Sequence, residues 1–357
     1  MLAAIADGYH GPPQLTFARA FTSWTLDPWS LAVIVVLGAA YLAGVRRVRR
    51  RGVPWPAGRI IAFCGLGLGF VVVATMSSIG VYYAVLFYLR SVQTILFLLV
   101  VPLFMAMGRP LTLVIETVPR FGPWLQRAIA SKPARLALFP GITAFVLVLT
   151  PFLIYFTPWY AAGFRSVLVA QLTRLALALP GFVFFWTLLR VDPVPKAYPY
   201  VVTLWVSAAE VLGDAFLGLA CIADTSRLGG AYYHALARPW GPSLATAQVL
   251  GGGVLWVFGD VVGLPFLAAQ LVQMIREDEA DAQVIDAELD ARDAAAVAIP
   301  GGAGGAGEAS ATTVSAGDGP AAAGEAALPV TQRPWWETDR RFADRFRPVD
   351  EPGGPGQ

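Results

Sequence analysis

Long apolar runs constrain this chain more than any other feature of its sequence. Seven of them cover roughly residues 29–45, 59–76, 91–107, 138–156, 165–189, 199–223 and 246–274. A helix rises about 1.5 Å per residue, so about 20 apolar residues cross the ~30 Å hydrocarbon core of a bilayer. The chain is 56% hydrophobic and only 14% charged, as expected when lipid is the solvent. We therefore predict an all-α fold, a polytopic membrane helical bundle of about seven transmembrane helices.

One stretch between the second and third runs does not fit this pattern. Residues 76–90 read "MSSIGVYYAVLFYLR", which is rich in tyrosine and phenylalanine and too short to cross a bilayer. Aromatic side chains concentrate at the membrane–water interface. We expect an interfacial helix or a re-entrant segment here.

Basic residues near the ends of the runs predict the orientation. The loops after the first, third and fifth runs carry Arg46, Arg47, Arg49, Arg50, Arg51, Arg59, Arg109, Arg120, Arg127, Lys132, Arg135, Arg190 and Lys196. The other side carries only Arg19, Arg90, Arg165, Arg227 and Arg238. Because cytoplasmic loops are enriched in Lys and Arg, the N-terminus is predicted outside and the C-terminus in the cytoplasm. A multi-pass protein of a bacterial-type cell (inner) membrane is expected.

Composition divides the chain into three parts. Residues 1–28 are predicted to be an external N-terminal segment, 29–275 the seven-helix membrane domain, and 276–357 a cytoplasmic tail. The tail is acidic and then rich in Gly and Ala, so it has too little apolar surface to offset its chain entropy and is predicted to be disordered. The aromatic and basic segment at 333–348 has two open interpretations, a docking peptide or an amphipathic segment on the anionic inner leaflet.

Pairs of small residues predict close helix packing. Gly65 and Gly69 are four residues apart, as are Gly259 and Gly263. Such spacing lets helix backbones approach each other in lipid. Contacts within the bundle are the expected use, and a homodimer seam is the alternative.

Three ionisable residues fall within the fifth and sixth runs. Arg174, Glu210 and Asp214 each lie about ten to fifteen residues from the predicted start of their run, roughly 15–20 Å deep. Glu210 and Asp214 share one helix face, and charges at such depth normally pair inside a bundle. We therefore predict a cluster of these three side chains. A structural ion pair, a proton or solute path and an oxygen-rich cation site remain open, and the role of Asp260 in the seventh run stays open too.

A polar block opens the third run. It reads Arg90-Ser91-Val92-Gln93-Thr94. The guanidinium of Arg90 is expected in water or on headgroups at the external interface. Gln93 and Thr94 are expected to bond to neighbouring helices.

Four segments carry a resemblance to a known family. They are "VQTILFLLVVPLFMAMGRPLTL" (92–113), "YLAGVRRVRRRGVPWPAGRIIAFCGLG" (41–67), "GFVFFWTLLRVDPVPKAYP" (181–199) and "AQVLGGGVLWVFGDVV" (247–262). In this order they resemble the CtaG-like cytochrome c oxidase assembly factors of the caa-type oxidase branch. The resemblance implies seven spans and a role in maturing a haem-copper oxidase, by copper delivery involving intramembrane histidines.

This chain departs from that family at the implied histidines. Arg90 and Thr94 stand where the resemblance leads us to expect histidine in the third run, and Arg174 and Asp214 stand in the later ones. The two histidines, His10 and His234, lie outside the runs. The remaining weak candidates for soft copper ligands are Cys64, Cys221, Met76 and His234, with Met105, Met107 and His10 behind them. None shows ligand spacing, so no cofactor is expected, and copper is implied by the resemblance alone.

Other function classes find no support in the sequence. There is no phosphate loop, nucleophile elbow or histidine-bearing triad, so an enzyme is not expected. Topology explains the arginine run at 46–51, so nucleic acid is not an expected partner. The leading hypothesis is an integral membrane assembly or interaction factor for a haem-copper cytochrome c oxidase with a degenerate or absent copper site. Oxidase subunits and membrane lipid are its expected partners. The alternative is a proton-coupled membrane transporter that uses Arg174, Glu210 and Asp214.

Overall fold

The computed structural model describes residues 9–118, 121–196 and 198–298. The helices are α1 (Phe17–Thr22), α2 (Pro28–Arg50), α3 (Ala57–Tyr82), α4 (Phe87–Met107), α5 (Pro110–Thr117), α6 (Gly122–Ala130), α7 (Lys132–Ala137), α8 (Pro140–Tyr155), α9 (Trp159–Arg165), α10 (Val167–Leu189), α11 (Tyr200–Ala223), α12 (Gly230–Ala235) and α13 (Leu244–Ala298). The described residues contain no β-strand.

The long helices confirm the predicted membrane bundle. Six helices among the described residues, α2, α3, α4, α10, α11 and α13, are long and apolar enough to cross a bilayer. A seventh span is possible by length and composition if α8 and α9, which meet at a 66° bend, are taken together. The molecule is therefore a polytopic all-α membrane protein.

The aromatic stretch at 76–90 joins two spans. Helix α3 is broken at Ser77, where the backbone is extended and the hydroxyl accepts a hydrogen bond from the Ile79 amide, and then runs on to Tyr82. Helix α4 begins at Phe87, about one turn earlier than the sequence pattern predicted. The stretch is thus the end of one span, a short turn and the first turn of the next.

The centre of the bundle is the contact between α4 and α10. Helix α4 contains a π-helical stretch at Leu96–Val100, followed by Pro102. Gly181 of α10 lies directly against the Leu98 carbonyl, and a β-carbon placed there would also be 2.8 Å from the Pro102 ring. Leu98, Leu177 and Phe184 are fully buried around this contact. A residue without a side chain is therefore required where the two backbones meet.

Glycines also bring α11 and α13 together. Gly218 and Gly252 each approach the backbone carbonyl of the other, and Gly263 faces Val211. The predicted contact within the bundle is confirmed for the pair Gly259 and Gly263. For the earlier pair it is wrong, because Gly65 is near only Ile61 of its own helix and Gly69 has no neighbour within 4 Å.

Helix α13 continues beyond the apolar part of the chain. The stretch at 276–298, predicted to be disordered, is helical in the structure, and its side chains are exposed as far as Arg292. Alanine and glutamate favour helix, and no Gly or Pro interrupts the stretch. The helix propensity of these residues therefore favours a continuation of α13, and starting from an existing helix avoids the cost of nucleation that makes short isolated helices marginal. The segment at 333–348 lies outside the described residues.

Candidate functional site

Arg90 is buried, which corrects the expectation that it lies at the external interface. Only 3% of its surface is exposed. Its Nη1 donates a hydrogen bond to Gln93 Oε1 at 2.8 Å, and its Nε has no partner. The guanidinium carbon lies 5.6 Å from the Tyr83 ring centroid and 5.7 Å from that of Phe164. Because α4 starts at Phe87, Arg90 lies within the first turn of the helix, where Gly163 and Phe164 of α9 lie close to its guanidinium.

The other members of the polar block do bond to neighbouring helices, as expected. Gln93 Nε2 donates to the Ala74 carbonyl of α3 at 2.8 Å. The Thr94 hydroxyl donates to the Arg90 carbonyl and lies 3.0 Å from the Tyr155 hydroxyl of α8. This end of α4 is therefore cross-linked to two other helices by buried hydrogen bonds.

Tyrosines complete the surroundings of Arg90, and sequence reasoning did not identify them. Tyr155 and Tyr160 are fully buried with ring centroids 5.1 Å apart, and the Tyr160 and Tyr233 hydroxyls are 2.9 Å apart. We call Arg90, Gln93, Thr94, Tyr83, Tyr155, Tyr160, Phe164 and Tyr233 the arginine chamber. No carboxylate of the described residues contacts Arg90. Aromatic faces and one amide oxygen therefore hold its charge.

Arg174 pairs with Asp27, which replaces the predicted cluster with Glu210 and Asp214. Its Nη1 makes a salt bridge with Asp27 Oδ2 and also donates to Ser30 Oγ at 2.9 Å and Gln171 Oε1 at 3.3 Å. Arg174 is only two turns beyond the start of α10, so its long side chain reaches the first turn of α2. Depth along a helix limits which groups can meet, but the helix face decides which do.

The same contacts hold the pKa of Asp27 below its usual range. Burial alone would raise this pKa, but the hydrogen bond and the charge of Arg174 outweigh it, with help from Ser30. Asp27 is also the N-cap of α2, where it accepts from the backbone amides of Trp29 and Ser30. A cavity of about 420 Å³ adjoins the pair and is bounded by Tyr83, Phe164 and Arg165 among others.

We expect Asp27→Asn to lower the unfolding free energy by about 2 kcal/mol near neutral pH, because it leaves Arg174 without its carboxylate while asparagine keeps the N-cap. A carboxyl whose pKa is lowered by folding stabilises the fold above its unfolded pKa, and that stability is lost as the pH falls through the folded pKa. Thermal melts of the detergent-purified chain should therefore show the variant and wild type converging in acid. Asp224→Asn is the matched control, since Asp224 caps only the exposed Ser226. An equal loss in both variants would contradict this account.

Glu210 and Asp214 lie on α11 and face α13. They are 3% and 2% exposed, and Glu210 Oε1 and Asp214 Oδ2 have no hydrogen-bond partner among the described residues. A β-carbon on Gly259 would be 2.7 Å from Asp214 Oδ2, so the carboxylate lies against the glycine backbone. Asp260, half-buried on α13, directly follows the glycine that Asp214 contacts. We call these three residues the carboxylate cluster; no described basic side chain forms a salt bridge with it.

Further polar groups lie between α11 and α13, on the side of the carboxylate cluster toward the start of α11. Ser207, one turn from Glu210, donates to Gln270 Oε1 at 2.9 Å, and Gln270 Nε2 has no partner. Thr203 is buried one turn further along α11. The interface of α11 and α13 therefore carries a polar stripe from its middle toward the start of α11.

The copper candidates do not converge on one site. Cys64 is half-buried beside Tyr41 and Phe63, Cys221 is buried in the core of the bundle, Met76 is buried in α3, and His234 is exposed. The described residues contain no group of three or more His, Cys, Asp or Glu side chains placed to hold a metal. Arg90 and Thr94, at positions where the resemblance implies histidine, are committed to hydrogen bonds. The residues present do not fit an imidazole copper site.

Asp192, another buried polar residue that sequence reasoning missed, ties the loop after α10 to the start of α5. Its carboxylate accepts from the amides of Leu111 and Thr112 at 3.2 and 2.9 Å and from the Thr112 hydroxyl. Burial raises its pKa, although these hydrogen bonds and Arg109 oppose the rise. The sequence signals that could have identified this contact are an acidic residue alone in its loop and a helix start marked by Pro110.

Comparisons with known proteins find relatives of this chain in mycobacteria. An uncharacterised protein of Mycobacterium bovis and one of Mycobacterium tuberculosis are each 30% identical over 305 residues, which cover 80% of this chain and 46% of each relative. An uncharacterised protein of Mycobacterium leprae is 27% identical over 279 residues, 76% of this chain and 42% of that protein. The chain thus spans a little under half the length of these curated relatives. No solved structure matches it.

The family model described as cytochrome c oxidase caa3 assembly factor matches residues 39–277, more than half of the chain. The match extends from the middle of α2 to the point where α13 becomes acidic, so it includes the arginine chamber and the carboxylate cluster. This chain belongs to the caa3-type cytochrome c oxidase assembly factor (Caa3_CtaG) family.

Proposed function

We propose that this protein assists the assembly of a haem-copper cytochrome c oxidase through contacts with oxidase subunits, without holding copper on intramembrane imidazoles. Its role is non-enzymatic. The observation that carries the proposal is the burial of Arg90 at the implied position of a histidine. The oxidase is proposed as the partner because of family membership, and the arginine chamber argues against a bound copper ion.

Charge explains why the chamber is a poor copper site. The Tyr83 ring lies close to two guanidinium groups, with the guanidinium carbons of Arg90 and Arg174 at 5.6 Å and 6.0 Å from its centroid. Asp27 offsets the charge of Arg174, but no described carboxylate offsets that of Arg90, and a positive charge beside a low-dielectric pocket raises the energy of any further cation there. Phenol and amide oxygens are also poor ligands for Cu(I). A copper ion passing this end of the bundle would be repelled.

The proposed topology places the arginine chamber and the cavity beside Asp27 outside the cytoplasm. The arginine-rich end of α2 and Arg109, just before α5, then lie in the cytoplasm, consistent with the positive-inside rule. In this orientation the face bounded by α9, α12 and the start of α2 is available to an oxidase subunit on the outer side of the cell membrane.

Copper quantitation together with capture of partners tests the proposal. The tagged full-length chain, extracted in mild detergent from a strain that expresses the oxidase, should co-purify with oxidase subunits and carry far less than one copper per chain. Stoichiometric copper that survives a chelating wash would contradict the absence of a copper site. Failure to capture any oxidase subunit, including after chemical cross-linking in the membrane, would contradict the assembly role.

A proton path is a second candidate, favoured by the unpaired carboxylates of the carboxylate cluster and the polar stripe that continues to Gln270. Acidic groups inside a membrane commonly serve proton relays. Vesicles containing the purified chain and a pH-sensitive dye should then acidify when a pH step is imposed, and Glu210→Gln with Asp214→Asn should abolish that uptake. Uptake no faster than in protein-free vesicles would exclude this function.

A further inference from the structure

A groove lies along the last turns of α2, beside the end of α5. It has a volume of about 570 Å³. Its lining residues are Ala40, Ala43, Gly44, Arg46, Arg47, Arg50, Thr117 and Val118. We call it the arginine groove. It lies far from the arginine chamber along the axis of α2, at the opposite end from Asp27.

The lining changes character along the axis of α2. Ala40, Ala43 and Gly44 share one helix face, and Arg47 continues the same row. Ala40 lies about 15 Å along the axis from Arg50, the last residue of α2, and so well within the hydrocarbon. The groove therefore passes from a small, apolar wall to a strongly cationic mouth. A phospholipid has the matching gradient from acyl chain to phosphate.

The arginine run around residue 50 divides into two sets with different contacts. Arg49 Nη2 donates to the Trp55 carbonyl at 2.8 Å, and Arg51 Nη1 donates to the Glu116 carbonyl at 2.5 Å. The three arginines that line the groove are exposed and make no hydrogen bond or salt bridge to described residues. Membrane topology explains why the run is basic. It does not explain why two of its arginines are hydrogen-bonded to the protein while the three that face the groove are not.

We propose that the arginine groove binds one anionic phospholipid. The guanidinium groups of Arg46, Arg47 and Arg50 donate hydrogen bonds to the lipid phosphate, whose oxygens match the geometry of a guanidinium. One acyl chain lies along Ala40, Ala43 and Gly44, where larger side chains would fill the space. Basic pockets between helices at the membrane surface are known to select anionic headgroups. The proposal depends on the membrane bundle and not on the oxidase role.

Lipid titration by native mass spectrometry of the full-length chain tests this proposal. With added phosphatidylglycerol, one adduct should persist under conditions that remove phosphatidylcholine. The triple variant Arg46→Gln/Arg47→Gln/Arg50→Gln should weaken that adduct by about 100-fold, at roughly tenfold or less per arginine. The control Arg49→Gln/Arg51→Gln removes two charges from the same run and should retain the adduct.

A second variant tests the acyl wall separately. Ala43→Trp keeps every arginine but fills the groove at an exposed position, so it should also lose the lipid adduct. Equal weakening in the control, equal retention of phosphatidylcholine, or an unaffected adduct in Ala43→Trp would each overturn the lipid site. Displacement of the lipid by millimolar inorganic phosphate would overturn it too, because it would show a free-anion site. Thermal melts of every variant verify that the loss is not unfolding.

Discussion

Replacing Gly181 by alanine should strongly destabilise the bundle. The new β-carbon would collide with the Leu98 carbonyl and lie 2.8 Å from Pro102 Cγ. Neither obstacle can turn away, because one is backbone and the other is a ring inside α4. Overpacking a close-packed interior costs about 1–3 kcal/mol when side chains can adjust. Here the two helices must separate, so we expect the unfolding free energy to fall by about 3 kcal/mol or more. The yield of folded protein should fall sharply as well.

Two other glycines provide matched controls for this prediction. Gly69 and Gly253 are also helical, but a β-carbon at either position meets nothing within 4 Å. Alanine there should leave stability unchanged or raise it by about 0.5–1 kcal/mol, since glycine weakens a helix interior. Fluorescence-detected gel filtration and thermal melts in detergent compare the three variants. Equal melting temperatures for Gly181→Ala and the controls would contradict the close contact of α4 with α10.

Replacing Gln93 by leucine is the second substitution with a large expected effect. Its side-chain oxygen is the only described hydrogen-bond acceptor of the buried Arg90 guanidinium, and its amide satisfies the Ala74 carbonyl. Removing one partner from a buried charge is far more costly than removing both. We expect Gln93→Leu to cost about 3 kcal/mol. The double variant Arg90→Met/Gln93→Leu should recover much of this loss.

Gln171→Leu is the matched control for this pair. Gln171 makes the same amide-to-guanidinium bond, but with Arg174, which keeps Asp27 and Ser30 as partners. Its loss should cost less than about 1 kcal/mol. Thermal melts of the single and double variants form a cycle that isolates the coupling. A double variant as unstable as Gln93→Leu alone would show that the Arg90 charge is not the cause.

The sequence could predict the membrane bundle but not the positions of its polar groups. Apolar runs report burial in lipid directly, so the spans agree with expectation to within about a turn for most helices. Arg90 was misplaced because the start of α4 depends on how the short turn after Tyr82 folds back. Arg174 was paired with the wrong residues because an apolar run indicates only how deep a side chain lies in the membrane. Its actual partner, Asp27, had been assigned to the external segment and was not considered.

Long-range contacts escaped sequence reasoning for a related reason. Tyr160 and Tyr233 lie 73 positions apart and meet only because α9 bends away from α8 and α12 folds over it. Asp192 is a lone acid until the loop after α10 brings it to Leu111 and Thr112. Local patterns predict elements, and tertiary packing decides which of their polar side chains meet.

Oxidase content in a deletion strain tests the central claim most directly. Deleting the gene should reduce the haem a absorbance and the copper content of membranes that normally contain the oxidase. Both the wild-type chain and the triple variant Cys64→Ala/Cys221→Ala/His234→Ala should restore them, because the proposed role uses no thiolate or imidazole ligand. Membranes of the deletion strain with unchanged haem a and copper would contradict the account.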